Sequence, residues 1–182
     1  MTDNIDKYNK GNATVKNGAD DQKSDKTDNL ENNIEDNERK MVDVIIPTYR
    51  PAKEFGELLH RLEKQEYRPN RILVMNTGKE YWNSEWENYP LLEVHHLDQK
   101  DFDHGGTRKR AAELSTADIM VFMTQDALPA DRKMIGNLVR AVSRNSGTGA
   151  AYARQLPKAD CRFLERYTRS FNYPEQSSVK SL

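Results

Sequence analysis

Residues 42–47, Val42-Asp43-Val44-Ile45-Ile46-Pro47, limit what this chain can become more than any other stretch. β-branched side chains at Val42, Val44, Ile45 and Ile46, closed by a proline, read as a strand buried on both faces. A strand of that kind needs parallel neighbours and covering helices, so the rest of the chain should supply both. Phe55, Leu58, Leu59 and Leu62 recur at the spacing of one helix face, and that helix ends near Tyr67-Arg68-Pro69. Residues 71–75 read as a second strand running into Asn76-Thr77-Gly78, and residues 91–97 as a third, diluted by Glu93, His95 and His96. Gly105-Gly106-Thr107 opens a helix to about Leu114. Residues 117–123 give a fourth strand, and residues 131–144 a helix whose inner face carries Met134, Ile135, Leu138, Val139 and Val142. Residues 149–153 and 161–170 supply a fifth strand and a last helix. This alternation predicts an α/β fold: a mostly parallel sheet with right-handed crossovers and helices on both faces.

The first forty residues behave differently. Beyond Ile5, Val15, Leu30 and Ile34 they hold almost no large apolar side chains, and they account for much of a mean hydropathy of -0.95. Such a segment cannot bury enough surface to offset roughly 1–2 kcal/mol of backbone entropy per residue. Residues 1–40 are therefore expected to be a disordered polar tail, and residues 41–182 one domain. A formal net charge of -1, with no basic run interleaved with aromatics, argues against a nucleic-acid partner. Cys161 is the single cysteine, which excludes an internal disulfide and suits a reducing compartment. No secretory leader is legible, and no apolar run approaches the roughly 18–20 residues of a membrane span. A cytoplasmic protein with no transmembrane segment is expected.

In a parallel sheet the loops that follow the strands share one rim, where ligands bind. That places Thr48, Asn76, the loop 98–107 and Asp126 together. Asp126 ends the apolar run Ile119-Met120-Val121-Phe122-Met123 through Thr124-Gln125, with Pro129 blocking any continuation. An aspartate there is either a turn-former or a ligand-binding carboxylate. Gly105 and Gly106 are either loop punctuation or a helix start whose free N–H groups, beside Arg108, face an anion. His104 is open between loop hydrogen-bonder and ligand contact. His95 and His96 alternate across their strand and cannot serve one metal together. Trp82 and Trp86 either wall a ligand or pack beneath their loop.

These motifs, taken in order, resemble a known family. Pro47-Thr48-Tyr49-Arg50 is similar to the "PTYN" start of family 2 glycosyltransferases, nucleotide-diphospho-sugar transferases with a GT-A fold. Phe102-Asp103-His104-Gly105-Gly106-Thr107-Arg108, followed by Phe122-Met123-Thr124-Gln125-Asp126-Ala127, resembles the bacterial rhamnosyltransferase branch. Tyr152-Ala153-Arg154-Gln155-Leu156-Pro157 and Arg169-Ser170-Phe171-Asn172-Tyr173-Pro174 match the same branch. The resemblance implies that Asp126, at the DXD position, holds a Mg²⁺ or Mn²⁺ bridging the donor's phosphates. Thr124 departs from the family's usual aspartate, which leaves one carboxylate instead of two. Arg108, with Gly105 and Gly106, would bind donor, as would Gln125. Pro47, Thr48 and Asn76 would line the nucleoside, with Asn76 replacing the family's frequent aspartate.

The implied donor is dTDP-rhamnose or a UDP-sugar. The implied acceptor is a saccharide or a lipid-linked one, reached in the cytoplasm at the inner face of the membrane during polysaccharide synthesis. An inverting transferase also needs a carboxylate base, which the family carries after its fifth strand. Ser178-Val179-Lys180-Ser181-Leu182 stand where that segment would begin, so an incomplete, C-terminally truncated donor domain is expected. Neither Glu165 nor Glu175 matches a base motif. A non-catalytic nucleotide-sugar-binding remnant is the alternative. A sugar-phosphate nucleotidylyltransferase fits poorly, because its GTR follows the first strand and Gly106-Thr107-Arg108 follows the third.

Overall fold

The computed structural model describes residues 39–157 and 160–180. All but the last two residues of the expected polar tail lie outside that range. The described residues from Lys40 onward belong to one contact unit. Four strands make one sheet: β1 (Val42–Tyr49), β2 (Arg71–Thr77), β3 (Leu92–Leu97) and β4 (Ile119–Phe122). All pairings are parallel, in the order β3-β2-β1-β4. The chain steps outward from β1 to β2 to β3, then returns to add β4 on the other side of β1. That reversal sets the switch point between β1 and β4, where an open parallel sheet leaves a crevice at its strand ends.

Helices cover both faces. On one face the even-numbered side chains of β1 and β2, among them Val44, Ile46, Ile72 and Val74, meet Phe55, Leu58, Leu59 and Leu62 of α1 (Phe55–Glu63). Ile135 and Val139 of α3 (Met134–Val142) complete that cluster. Each fully buried Leu or Phe there contributes about 1.5–3 kcal/mol relative to exposure. On the other face Ile45, Leu73, Met75 and Leu97 pack with Ala111 of α2 (His104–Leu114). Trp86 belongs to the first cluster, and Trp82 packs against it with ring centroids 5.0 Å apart. Of the two readings of these tryptophans, packing beneath the loop is the one observed.

One polar residue sits inside β1. The Asp43 carboxylate is fully buried, accepting from Arg71 Nη2 at 2.8 Å and from the Ser115 hydroxyl at 2.7 Å. Arg71 also donates to Glu93 at 2.7 Å, and Glu93 meets His95 Nε2 at 2.7 Å, so the network crosses β1, β2 and β3. A buried carboxylate is tolerable only when partnered in this way.

Three expectations need correction. Residues 149–153 form no strand, and β4 is an edge of the sheet. The alanines of that segment bring little surface to bury, and its one large side chain, Tyr152, is 68% exposed. The last helix, α4, runs Phe163–Asn172, later than predicted by two residues, and none of its side chains is buried. Pro47 does not end β1, which continues to Tyr49. The backbone of the odd residues of β1 faces β4: Ile119 N donates to Met41 O and Met123 N to Ile45 O. Pro47 lies on that side but past the last pair, Ile45 with Phe122, so its missing N–H leaves no rung unmade.

Candidate functional site

At the C-terminal rim β1 and β4 diverge, and a side chain takes over where the ladder stops. Gln125 Oε1 accepts from Tyr49 N at 2.8 Å, and Gln125 Nε2 donates to Tyr49 O at 3.1 Å. An amide side chain carries the same donor and acceptor as a peptide, so Gln125 stands in for the next residue of β4. This two-point bond fixes the turn that holds Asp126, closed by Ala127 N donating to Thr124 O at 3.1 Å. Asp126 is exposed, and among the described residues no donor engages its carboxylate. It is a turn residue by position and an available oxygen ligand by chemistry. Gln125, by contrast, spends its side chain within the protein.

Thr48 and Asn76 do converge, as cross-strand partners one rung below the rim. Thr48 Oγ1 donates to Asn76 Oδ1 at 2.9 Å. Asn76 Nδ2 donates to Gly78 O at 3.2 Å and faces His96 Nδ1 at 3.0 Å. Since the amide is a donor there, His96 accepts at Nδ1 and carries its proton on Nε2. Burial, reinforced by the charge of Lys79, holds the His96 pKa below its ordinary value of 6.5, which suits that neutral form. Both Thr48 and Asn76 are buried.

The helix start at α2 is already capped. The Asp103 carboxylate accepts from Gly106 N, and Asp103 O accepts from Thr107 N at 2.8 Å. A Cβ on Gly106 would lie 2.8 Å from Asp103 Oδ2, so this cap requires glycine. Of the two glycine amides, Gly105's is left at the helix start. Arg108 Nη1 donates to His104 O at 2.9 Å, and the ring of His104 meets Phe102 edge-on at 5.0 Å. Arg108 is half-buried, and among the described residues no carboxylate pairs with it.

A group that the sequence did not single out completes the rim. Arg50 is the one non-glycine residue among those described with a positive φ, 48°, a left-handed backbone that costs on the order of 1 kcal/mol. Its guanidinium carbon lies 4.3 Å from the Tyr81 ring centroid and 5.1 Å from that of Tyr49. Arg50 Nη2 also donates to Tyr81 Oη at 2.7 Å. The signal open to sequence reading was an arginine one residue past the strand, flanked by a tyrosine. Its partner, Tyr81, lies 31 positions away and carries no such mark.

Among the described residues no three carboxylate, imidazole or thiol groups converge on a point. What the rim offers a divalent cation is one exposed oxygen donor, Asp126. That fits Mg²⁺ or Mn²⁺ arriving with phosphate and water, since Mg²⁺ in particular is held by one or two carboxylates plus substrate oxygens. A cleft of about 540 Å³ lined by Gln155, Arg162 and Arg169 lies along α4, and no rim residue lines it.

A parallel α/β sheet with an acidic turn at the β1–β4 switch point and a glycine-capped helix after β3 defines a nucleotide-binding class of fold. The profile of "Glycosyl transferase family 2" matches residues 43–181, and the chain belongs to that family. Over 147 residues it is 37% identical to the O-antigen chain rhamnosyltransferase RfbN of Salmonella typhimurium strain LT2, covering 77% of this chain and 45% of that protein. It is 26% identical over 140 residues to the O-antigen chain rhamnosyltransferase WbaN of Salmonella anatum, covering 76% of this chain and 44% of that one. The chain thus spans under half the length of these two relatives. Among solved structures it is similar to a mannosyltransferase, PcManGT, from Pyrobaculum calidifontis in complex with GDP-Man and Mn²⁺. That match has 24% identity and a TM-score of 0.48, covering 56% of this chain and 32% of the other. The fold class and the family expected from the motifs are both observed.

Proposed function

We propose that this chain is the donor-binding part of an inverting glycosyltransferase of polysaccharide synthesis. The sugar, rhamnose by the relatives it matches, would pass from a nucleoside diphosphate to a saccharide or lipid-linked acceptor. The observation that carries this reading is Asp126, an unpaired carboxylate fixed at the β1–β4 switch point by the bond between Gln125 and Tyr49. A diphosphate leaving group gathers negative charge as the glycosidic bond breaks. A Mg²⁺ or Mn²⁺ bound there would supply Lewis-acid stabilisation of that charge. Arg108 and the Gly105 amide add positive potential from the start of α2. Thr48 and Asn76 hold the nucleoside end of the rim in shape, and Pro47 lies in the strand that leads to it. The setting we assign is the cytoplasm, at the inner face of the membrane where a lipid-linked acceptor would be met.

The test is calorimetric titration of dTDP and of UDP into the parent chain and Asp126→Ala, each with Mn²⁺ and with chelator. Mn²⁺ should tighten binding to the parent about tenfold or more and leave Asp126→Ala unchanged, as expected when the only protein ligand is lost. Equal binding in all four combinations would remove Asp126 from the role.

A further inference from the structure

We propose that Arg50 reads the donor's nucleobase, selecting a base whose edge presents carbonyl oxygens, with Tyr81 as the positioning residue that holds it; this rests on the donor-domain reading above. Asn76, the side chain expected to meet the base, is occupied. Its oxygen takes the Thr48 hydroxyl, and its nitrogen is shared between Gly78 O and His96 Nδ1, all in a buried setting. Turning it toward a ligand would break those bonds where water cannot replace them. What they secure is the turn after β2. Asn76 holds Gly78 O, Leu97 O accepts from Gly78 N at 3.0 Å, and Gly78 has a φ of 80°. Tyr81 follows in the short helical turn Lys79–Tyr81 and is thereby placed on the rim.

Tyr49 is fixed from the opposite side by Gln125. The Arg50 guanidinium is consequently held between two anchored phenols, each about 40% exposed, with ring centroids 6.2 Å apart. Its left-handed backbone turns the chain out of β1 and directs the side chain over Tyr81. Among the described residues no carboxylate neutralises it. A guanidinium carries five N–H donors and no acceptor, and Tyr81 Oη takes one of them. The remaining donors match the carbonyl oxygens of uracil or thymine. Adenine presents an amino donor where those bases present oxygen, and meets the fork badly.

UDP, dTDP and ADP are titrated by calorimetry in Mn²⁺ into the full chain and into Arg50→Met and Tyr81→Phe. The parent should prefer UDP and dTDP to ADP by about tenfold, the value of one charge-assisted hydrogen bond. Arg50→Met keeps the stem and loses the donors, and should bring the three ligands within about twofold. Tyr81→Phe keeps the ring and loses the acceptor, and should fall between. Equal weakening of all three ligands in Arg50→Met would make Arg50 a phosphate contact and overturn the proposal. A parent without preference, or a preference intact in Arg50→Met, would overturn it as well. Tyr81→Phe indistinguishable from the parent would remove Tyr81's role. Each of these outcomes leaves nucleotide binding standing. A parent that binds none of the three overturns the donor-domain reading, and this inference with it.

Discussion

His96 ties the stability of the rim to pH. It accepts from Asn76 only when neutral, and burial lowers its pKa below 6.5. With the folded value depressed, the unfolded chain takes up the proton first as pH falls. The stability contributed by neutral His96 is therefore complete above 6.5 and is lost as pH drops through the window beneath it. Thermal midpoints measured from about pH 7 to about pH 5 should fall in the parent and stay flatter in His96→Gln, which keeps a side-chain acceptor without the titration. Glu93 acts in a lower window. His95, and then Arg71, hold its pKa below 4.5, so its contribution survives to more acidic conditions before it too is lost. The pairing of His96 with Asn76 could not be read from sequence. Alternation placed His95 and His96 on opposite faces, but only the register Asn76↔His96 brings the imidazole to the amide.

Strands and helices were largely legible because each carries its own period. The spacing of Phe55, Leu58, Leu59 and Leu62 locates α1, and all four are buried. β2 ran on to Thr77, further than its apolar run suggested, because cross-strand partners and not hydropathy decide where pairing stops. Asp43 belongs to this scale. A carboxylate amid Val42, Val44 and Ile45 reads as a flaw in a buried strand until Arg71 and Ser115 are seen beside it. Asp43→Ala should cost about 3–5 kcal/mol in chemical denaturation, because Arg71 is left without its buried partner. A loss under about 1 kcal/mol would show that Glu93 alone satisfies Arg71.

For the whole molecule the expected boundary is a prediction in its own right. Removing residues 1–38, which spares Lys40 and its carbonyl contact with Tyr67 Oη at 2.7 Å, should shift the thermal midpoint by no more than about 2–4 °C, the size of a 1 kcal/mol effect. A larger loss would tie the tail to the domain. The chain spans 45% of the first relative's length, so its own capacity for transfer is a separate question from donor binding. Glu165 is engaged by Arg169 at 3.0 Å and Glu175 by Arg154 at 3.3 Å, and both pairs lie in the C-terminal segment with α4. Incubated with dTDP-rhamnose and Mn²⁺, the chain should release dTDP at a rate indifferent to a saccharide or lipid-linked acceptor. Loss of a general base alone costs about 10²–10⁴-fold. Acceptor-dependent turnover near about one per second, a rate in the ordinary enzyme range, would identify one of those two glutamates as the base.

Periodicity and strand ends are local properties, and the sequence by itself determined them: a parallel α/β fold, a rim holding Thr48, Asn76, Arg108 and Asp126, and motifs placing the chain in its family. Which of those side chains are open to a ligand was decided only in three dimensions. Hydrogen-bond partners there come from residues distant in the chain. Asn76 and Gln125 look like ligand contacts in sequence, yet both are used to hold the rim together, across 28 and 76 positions. Arg50 looks like an ordinary loop residue until Tyr81 closes over it. A buried amide must find partners within the protein, whereas an exposed guanidinium or carboxylate keeps its bonds for what binds. Burial, which no single residue encodes, separates the two.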